Sequence, residues 1–210
     1  MRITFLLTQS LESPGGGGRY FPLAKALVAE GYQVTILALH HNYRELNRRR
    51  FVRDGVNVAY VGQMHVRKKG NRKEYFNPLA LLWITAVATL RLSYAALRQP
   101  ADLIHVGKSQ PMNGLAAWVA HQVRGVPVYI DSDDYEAINN RFSGPWQQRL
   151  VAWFEDWLPS FAAGLTVGNT FIGERFATLG YPVQQIALVP NGADRDTLSL
   201  IHISEPTRPY

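Results

Sequence analysis

MRITFLLTQSLESPGGGGRYFPLAKALVAEGYQVTILAL, residues Met1 to Leu39, is the stretch on which the fold turns. Met1–Thr8 is a short apolar run with β-branched and aromatic residues, which reads as a buried strand. Pro14 and the glycines Gly15–Gly18 then build a turn. Tyr20, Leu23, Ala24, Leu27 and Val28 recur at helical spacing, Gly31 stops the helix, and Gln33–Leu39 is a second apolar run. Strand, glycine turn, helix and strand make a right-handed βαβ unit. Glycines lack Cβ, so backbone N–H groups there can approach an anion at the positive end of the helix. A flexible turn is the alternative reading of the same residues. The dinucleotide fingerprint G-x-G-x-x-G is not met, because Tyr20 stands at its third glycine and Leu39 is followed by His40 and His41 in place of an acid.

Composition bounds the rest. At 210 residues the chain forms one large domain or two small ones, and 47% hydrophobic with 18% charged residues suffices for a sizeable core. There is no cysteine, which excludes a disulfide framework and thiolate chemistry and fits a reducing compartment. The N-terminus enters a strand at once, without the segments of a signal peptide, so a cytoplasmic protein is expected. The net charge of +6 is concentrated, with ten lysines and arginines against three acids between His40 and Tyr75. Such a cluster suits a polyanion (phospholipid headgroups, a phosphorylated substrate or nucleic acid) or forms a solvated face.

Beyond Leu39, Tyr43–Asp54 reads as an arginine-rich helix or loop and Val56–Val61 as a third strand. Gln63–Phe76, basic with Gly70 and Asn71 at its middle, reads as a mobile loop. Asn77 caps a helix that has Pro78 at its first position and an apolar body to Leu97. Its uncharged run from Asn77 to Leu90 falls short of the ~20 residues that cross a bilayer. A buried helix is therefore expected, with a peripheral membrane role left open by the basic loop before it. Ala101–Val106 and Val126–Ile130 are strands on either side of a helix over Leu115–Val123. Trp146, Leu150, Trp153, Phe154, Trp157 and Phe161 repeat at three- and four-residue steps, which predicts a helix with a buried aromatic stripe. Gly164–Val167, a helix over Thr170–Leu179 and Ile186–Val189 complete the alternation. The pattern predicts an α/β fold, a doubly wound Rossmann-like parallel sheet. Ligands of such sheets lie outside the carboxyl ends of the strands. That rule selects the Gly15–Gly18 turn, the Gly107–Gln110 loop with Ser109, the Asp131–Glu136 cluster, and Gly168–Thr170 with Asn169.

Asp131, Asp133, Asp134 and Glu136 crowd four carboxylates at one strand end. Like charges this close raise at least one pKa, which suits a general acid or base, and a divalent metal site is the other chemical option. The plainer reading is a cap followed by a helix-start acid.

The order of these elements resembles the N-terminal domain of retaining, family-four-like glycosyltransferases with the GT-B fold, over nearly all of Met1–Asp194. The likeness rests on the glycine turn before LAKAL, on EGYQVTIL and ADLIHV, on VPVYIDSDD, on GLTVGNTFIGERFATLGYP, and on ALVPNGAD. The resemblance implies transfer of a sugar from a nucleotide-sugar donor, a co-substrate, to a lipid, glycan or small-molecule acceptor held mainly by this domain, with no cofactor and no metal. By the same resemblance Gly15, Gly16, Gly17 and Gly18 lie near the donor phosphates and the acceptor. Ser109, Asp131, Asn169 and Asn191 join them as donor or acceptor contacts. Asp133 stands where many relatives carry His and, with Asp134, is the expected catalytic group, orienting an acceptor hydroxyl or stabilising charge at the anomeric carbon. Arg67, Lys68, Lys69, Arg72 and Lys73 contact the acceptor or an anionic membrane, which places the protein in the cytoplasm or peripherally on the inner face of the plasma membrane. No nucleic-acid partner is expected, since Tyr43, Phe51, Tyr60, Tyr75 and Phe76 are too scattered to stack bases.

The expected domain covers residues 1–197. The ending LSLIHISEPTRPY, residues 198–210, resembles translated sequencing-adapter read-through and reads as a non-native tail, with the C-terminal donor-binding domain missing. On that reading the chain is a fragment, inactive alone. A non-catalytic recruitment subunit paired with a separate catalytic chain is the alternative.

Overall fold

The computed structural model describes residues 1–70, 72–139 and 144–192. Asp194 and the tail at 198–210, on which the expected domain boundary rests, lie outside the described residues. The first unit forms as expected: β1 (Arg2–Leu7), α1 (Phe21–Ala29) and β2 (Gln33–His40). There follow β3 (Arg50–Arg53), β4 (Val56–Gln63), a hairpin of β5 (Val66–Lys69) and β6 (Arg72–Tyr75), and α2 (Pro78–Arg98). Then come β7 (Leu103–Gly107), α3 (Pro111–Arg124), β8 (Val128–Ser132), α4 (Glu136–Asn139), α5 (Pro145–Trp157), β9 (Gly164–Val167), α6 (Thr170–Thr178) and β10 (Ile186–Leu188).

The large sheet has eight strands in the order β10-β9-β8-β7-β1-β2-β4-β3, parallel except that β3 runs antiparallel to β4. From β1 the chain winds outward to β2 and β4, then returns to β7 and winds the other way. The strand order therefore reverses between β1 and β7, whose paired ends are Leu7 and Gly107, and this is where doubly wound sheets open a ligand crevice. Strand alternation divides the core in two. Phe5, Leu7, Ile36 and Val58 pack with Tyr20, Phe21 and Ala24 on the α1 face. Leu6, Leu37, Ile104, Ile130 and Leu165 pack on the other face with residues of α2, α3, α5 and α6. The Asn77 cap forms as read, its Oδ1 accepting from the Ala80 N–H at 2.8 Å; Gly125 closes α3 at φ 65°.

Five expectations are corrected. Arg50–Arg53 is an edge strand, because Phe51 pairs with Val58 and its ring meets Tyr60 at 5.8 Å. Within the basic Gln63–Phe76 segment, Val66–Lys69 and Arg72–Tyr75 pair as antiparallel strands rather than forming a loop, and Asn42 holds their base: its amide accepts from the Lys68 N–H at 3.0 Å and donates to the Lys68 carbonyl at 2.9 Å. Helix α2 is not buried all round; Ala88, Leu92 and Ala96 enter the core, while Leu79, Leu82, Trp83, Leu90 and Tyr94 face outward. The aromatic stripe of α5 is split: Phe154 is buried, whereas Trp146, Leu150 and Trp153 are exposed and Trp153 stacks on Trp157 at 5.5 Å.

The fifth correction concerns the glycines, which are helical and have no positive φ. Gly16–Tyr20 forms a π-turn leading into α1, with the Phe21 N–H donating to the Gly16 carbonyl. A Cβ on Gly16 would overlap the Ser10 carbonyl and one on Gly17 the Leu11 carbonyl, while one on Gly18 would meet nothing. Gly16 and Gly17 thus let the helix start press against the segment that leaves β1. Gly16→Ala is expected to lower stability by about 1–3 kcal/mol, whereas Gly18→Ala leaves it unchanged or raises it by up to about 1 kcal/mol. Urea unfolding midpoints of the two variants check this.

Candidate functional site

Asp131, near the end of β8, projects to the α1 face, opposite to Ile130. Arg19 Nε and Nη2 donate to Asp131 Oδ2 and Oδ1, each at 2.7 Å. The Tyr20 hydroxyl donates to Oδ2 at 2.9 Å and the Thr166 hydroxyl to Oδ1 at 2.5 Å. A carboxylate offers about four acceptor positions, and all are taken. Burial pushes the Asp131 carboxyl up, but the Arg19 and Thr166 hydrogen bonds outweigh it and hold the group below its ordinary value. Arg19 Nη1 also donates to Asn191 Oδ1 at 2.8 Å, and Nη2 to the Val189 carbonyl at 3.1 Å. Below this clamp the His105 ring lies 4.7 Å from Phe5 and 6.5 Å from Tyr20. Burial lowers its pKa to about 4, so it is neutral at pH 7.

On the neighbouring strand, Lys108 follows Gly107 in a left-handed conformation, φ 63°, a strained state for a side chain with Cβ. Its N–H donates to the Asp131 carbonyl at 3.1 Å, and Asn113 Nδ2 donates to its carbonyl at 3.0 Å. This backbone aims Nζ into the acidic cluster, 2.6 Å from Glu136 Oε1, 3.4 Å from Asp133 Oδ1 and 3.5 Å from Asp134 Oδ2. Burial lowers the lysine pKa, but Glu136 and then the two aspartates raise it further, so the ammonium stays charged. Asp133, Asp134 and Glu136 come close enough together to share a cation, and Lys108 supplies one from within the chain. Burial raises the Asp133 carboxyl despite Lys108, and its buried Oδ1 has no aligned hydrogen-bond donor among the described residues.

The walls of the cluster are equally determined. A Cβ on Gly168 would stand 2.9 Å from the Asp133 Cα and carbonyl oxygen, so only glycine fits behind Asp133. Asn169 caps α6, accepting from the Ile172 N–H at 3.0 Å and donating to the Asp133 carbonyl at 3.3 Å. Gln110 ties the cluster to the end of β1, donating to Glu136 Oε2 at 3.2 Å and accepting from the Thr8 hydroxyl at 2.5 Å. Glu155 accepts from the Glu136 and Ala137 N–H groups at 2.7 and 2.9 Å. Burial raises its pKa to about 7 against the pull of those two donors.

The residues selected from sequence thus fall into three groups. Arg19 joins the Gly15–Gly18 segment to Asp131 and Asn191. Asp133 and Asp134 gather on Lys108, with Asn169 hydrogen-bonded to the Asp133 carbonyl; Ser109 follows Lys108 in the same loop, and its buried hydroxyl is unpartnered among the described residues. Arg67, Lys68, Lys69, Arg72 and Lys73 stand apart on the hairpin, at whose foot burial and then Lys73 lower the pKa of His65. Sequence reading missed Arg19, Lys108 and Glu155. Arg19 could have been noticed as a charge directly after the glycines and Lys108 as one inside a selected loop, but nothing local marks Glu155. A further cluster gathers Glu12 with His40 and His41, whose Nε2 atoms lie 3.4 and 3.1 Å from its carboxylate oxygens. The Asn42 N–H donates to His40 Nδ1 at 3.0 Å, which leaves the proton of the neutral ring on Nε2, facing Glu12.

Arg19→Met strands a buried carboxylate and is expected to lower stability by about 3–5 kcal/mol in urea unfolding. Arg19→Lys should restore only part of that, because one nitrogen cannot reproduce the fork. Glu155 sets a pH dependence. Its folded pKa of about 7 lies above the ordinary glutamate value of 4.5, so between these values the folded state holds the extra proton and stability falls as pH rises. Glu155→Gln should flatten that limb of the stability–pH curve.

No curated protein matches the chain. Among solved structures, sucrose-phosphate synthase from Thermosynechococcus elongatus superposes with a TM-score of 0.63 at 13% identity, covering 98% of this chain and 53% of that one. The UDP-GlcNAc 2-epimerase of Neisseria meningitidis bound to UDP-GlcNAc gives 0.59 at 12%, covering 91% and 46%. Anabaena HepE in complex with UDP-glucose gives 0.53 at 15%, covering 97% and 49%. The chain spans about half the length of these structures, and at such identities they show a shared fold. A family match extends over residues 15–192 and takes in both the Arg19 clamp and the Lys108 cluster, and by it the chain belongs to the family of glycosyl transferase 4-like domains.

Proposed function

We propose that this chain is the acceptor-side domain of a glycosyltransferase that moves a sugar from a nucleotide-sugar donor to an acceptor hydroxyl, with retention at the anomeric carbon. The observation that carries the reading is the family match over residues 15–192. The fold alone does not decide, since UDP-GlcNAc 2-epimerases share it. The donor class is supported by the UDP-sugars held in two of the compared structures. In this reading the acceptor oxygen bonds to the anomeric carbon as the sugar–phosphate bond breaks; the nucleoside diphosphate leaves with the bonding pair and takes up the hydroxyl proton on the departing phosphate oxygen, which lies on the same face of the sugar.

The chain's own residues then have distinct tasks. Asp133, buried and without an aligned donor on Oδ1, accepts a hydrogen bond from the acceptor hydroxyl. Lys108 offsets the carboxylates that would otherwise repel a diphosphate. Asp131, already saturated by Arg19, Tyr20 and Thr166, positions Arg19 and the helix start. The reaction takes place on the cytoplasmic side and uses no cofactor beyond the donor.

The test is release of nucleoside diphosphate from a panel of UDP-, GDP- and ADP-sugars, using the protein from the complete reading frame of the source DNA with lipid and glycan extracts as acceptors. One donor is expected to turn over, and Asp133→Asn should lower kcat by roughly 10²-fold or more. Absence of release with every donor would overturn the enzymatic reading. It would favour recruitment of a separate catalytic chain.

A further inference from the structure

We infer that the edge of the domain carrying α2 docks on an anionic lipid bilayer, the helix lying in the interfacial plane and the basic segments beside it resting on phosphate headgroups. This does not rest on the transfer reading. Leu79, Leu82, Trp83, Leu90 and Tyr94 are 62–82% exposed. At 100° per residue they fall within one stripe about 120° wide, opposite Ala88, Leu92 and Ala96 in the core. By length and composition α2 could cross a membrane, but its inner face is packed against α3 and β4, so it can meet lipid on one side only. That is the form of an interfacial helix. Tyr75, just before α2, is exposed as well.

Basic charge surrounds this stripe on two sides. The hairpin presents Arg67, Lys68, Lys69, Arg72 and Lys73 next to the start of α2. Along its flank, a groove of about 1160 Å³ between α2 and the β3–β4 edge is lined by Arg48, Arg49, Arg50, Arg91 and Arg98, and its lining includes no acid. Within the hairpin, Lys68 stands directly opposite Lys73, and Lys69 opposite Arg72. Like charges so paired are unfavourable in water and become favourable against a layer of phosphates.

Other occupants fit less well. A second copy meeting this face about a two-fold axis would set the same arginines and lysines against each other. A nucleic acid would use the charges and leave the leucines and Trp83 in water, whereas a bilayer takes both.

The experiment is co-sedimentation of the 210-residue chain with vesicles of phosphatidylcholine alone or doped with phosphatidylglycerol, at physiological salt. Partitioning onto the anionic vesicles is expected to be roughly tenfold tighter or more, and to fall by a similar factor in a variant with Lys68, Lys69, Arg72 and Lys73 changed to Gln. The double variant Leu82→Ser with Trp83→Ser should lose binding while keeping the wild-type circular dichroism and melting curve. Equal partitioning onto both vesicle types would overturn the inference. So would wild-type binding by the Leu82/Trp83 variant with equally tight binding of a single-stranded oligonucleotide, which would make the face a polyanion site. A lipid-free dimer in light scattering that the Leu82/Trp83 variant converts to monomer would assign the stripe to self-association instead.

Discussion

A guanidinium just before α1 and a carboxylate near the end of β8, both largely withdrawn from water, face each other at the carboxyl edge of the sheet, and the geometry of the cleft depends on that pair. Hydrophobic burial on both faces holds the sheet together, but it does not dictate where the start of α1 lies relative to the end of β8. Arg19 and Asp131 do, through two parallel hydrogen bonds in a site where neither charge can be left alone. The pairing works only because the preceding glycines let the helix start approach the Ser10–Leu11 segment closely. Backbone packing and side-chain electrostatics are thus two parts of one constraint.

Beside it, the acidic cluster owes its coherence to a single residue in a strained conformation. Lys108 turns left-handed and so places an ammonium among three carboxylates that would otherwise repel one another. Local backbone strain at such a position is offset by the ion pairs and by the Asn113 hydrogen bonds beneath it. The result is a cleft floor with a buried aspartate of raised pKa next to a fixed positive charge, a combination that an ordinary helix cap would not produce.

Much of this was legible in sequence, for identifiable reasons. Strand runs such as Arg2–Leu7 and helix ends such as Asn77 or Gly125 are written in neighbouring residues, so periodicity and capping chemistry find them. The carboxyl-edge rule then placed the acidic cluster and the glycine segment on one rim. The features that escaped it depend on distant partners. The β3 edge strand exists because Phe51 meets Tyr60, and the base of the hairpin is held by Asn42, far back in the chain. Exposure of Trp146 and Trp153 is decided by the packing around α5, which a three-to-four repeat cannot report. Arg19 finds its partner 112 positions away, and Glu155 becomes significant only once α4 lies over it.

The forked contact at Arg19 also bears on how this sequence can vary. Positions 19, 131, 166 and 191 share one hydrogen-bonded set, so substitutions there are not independent. Lysine at 19 has no fork, asparagine at 131 has no second negative oxygen, and valine at 166 has no donor. Drift at any one of the four is therefore tolerated only with a matching change at another, and the set is expected to behave as one inherited unit in descendants of this chain.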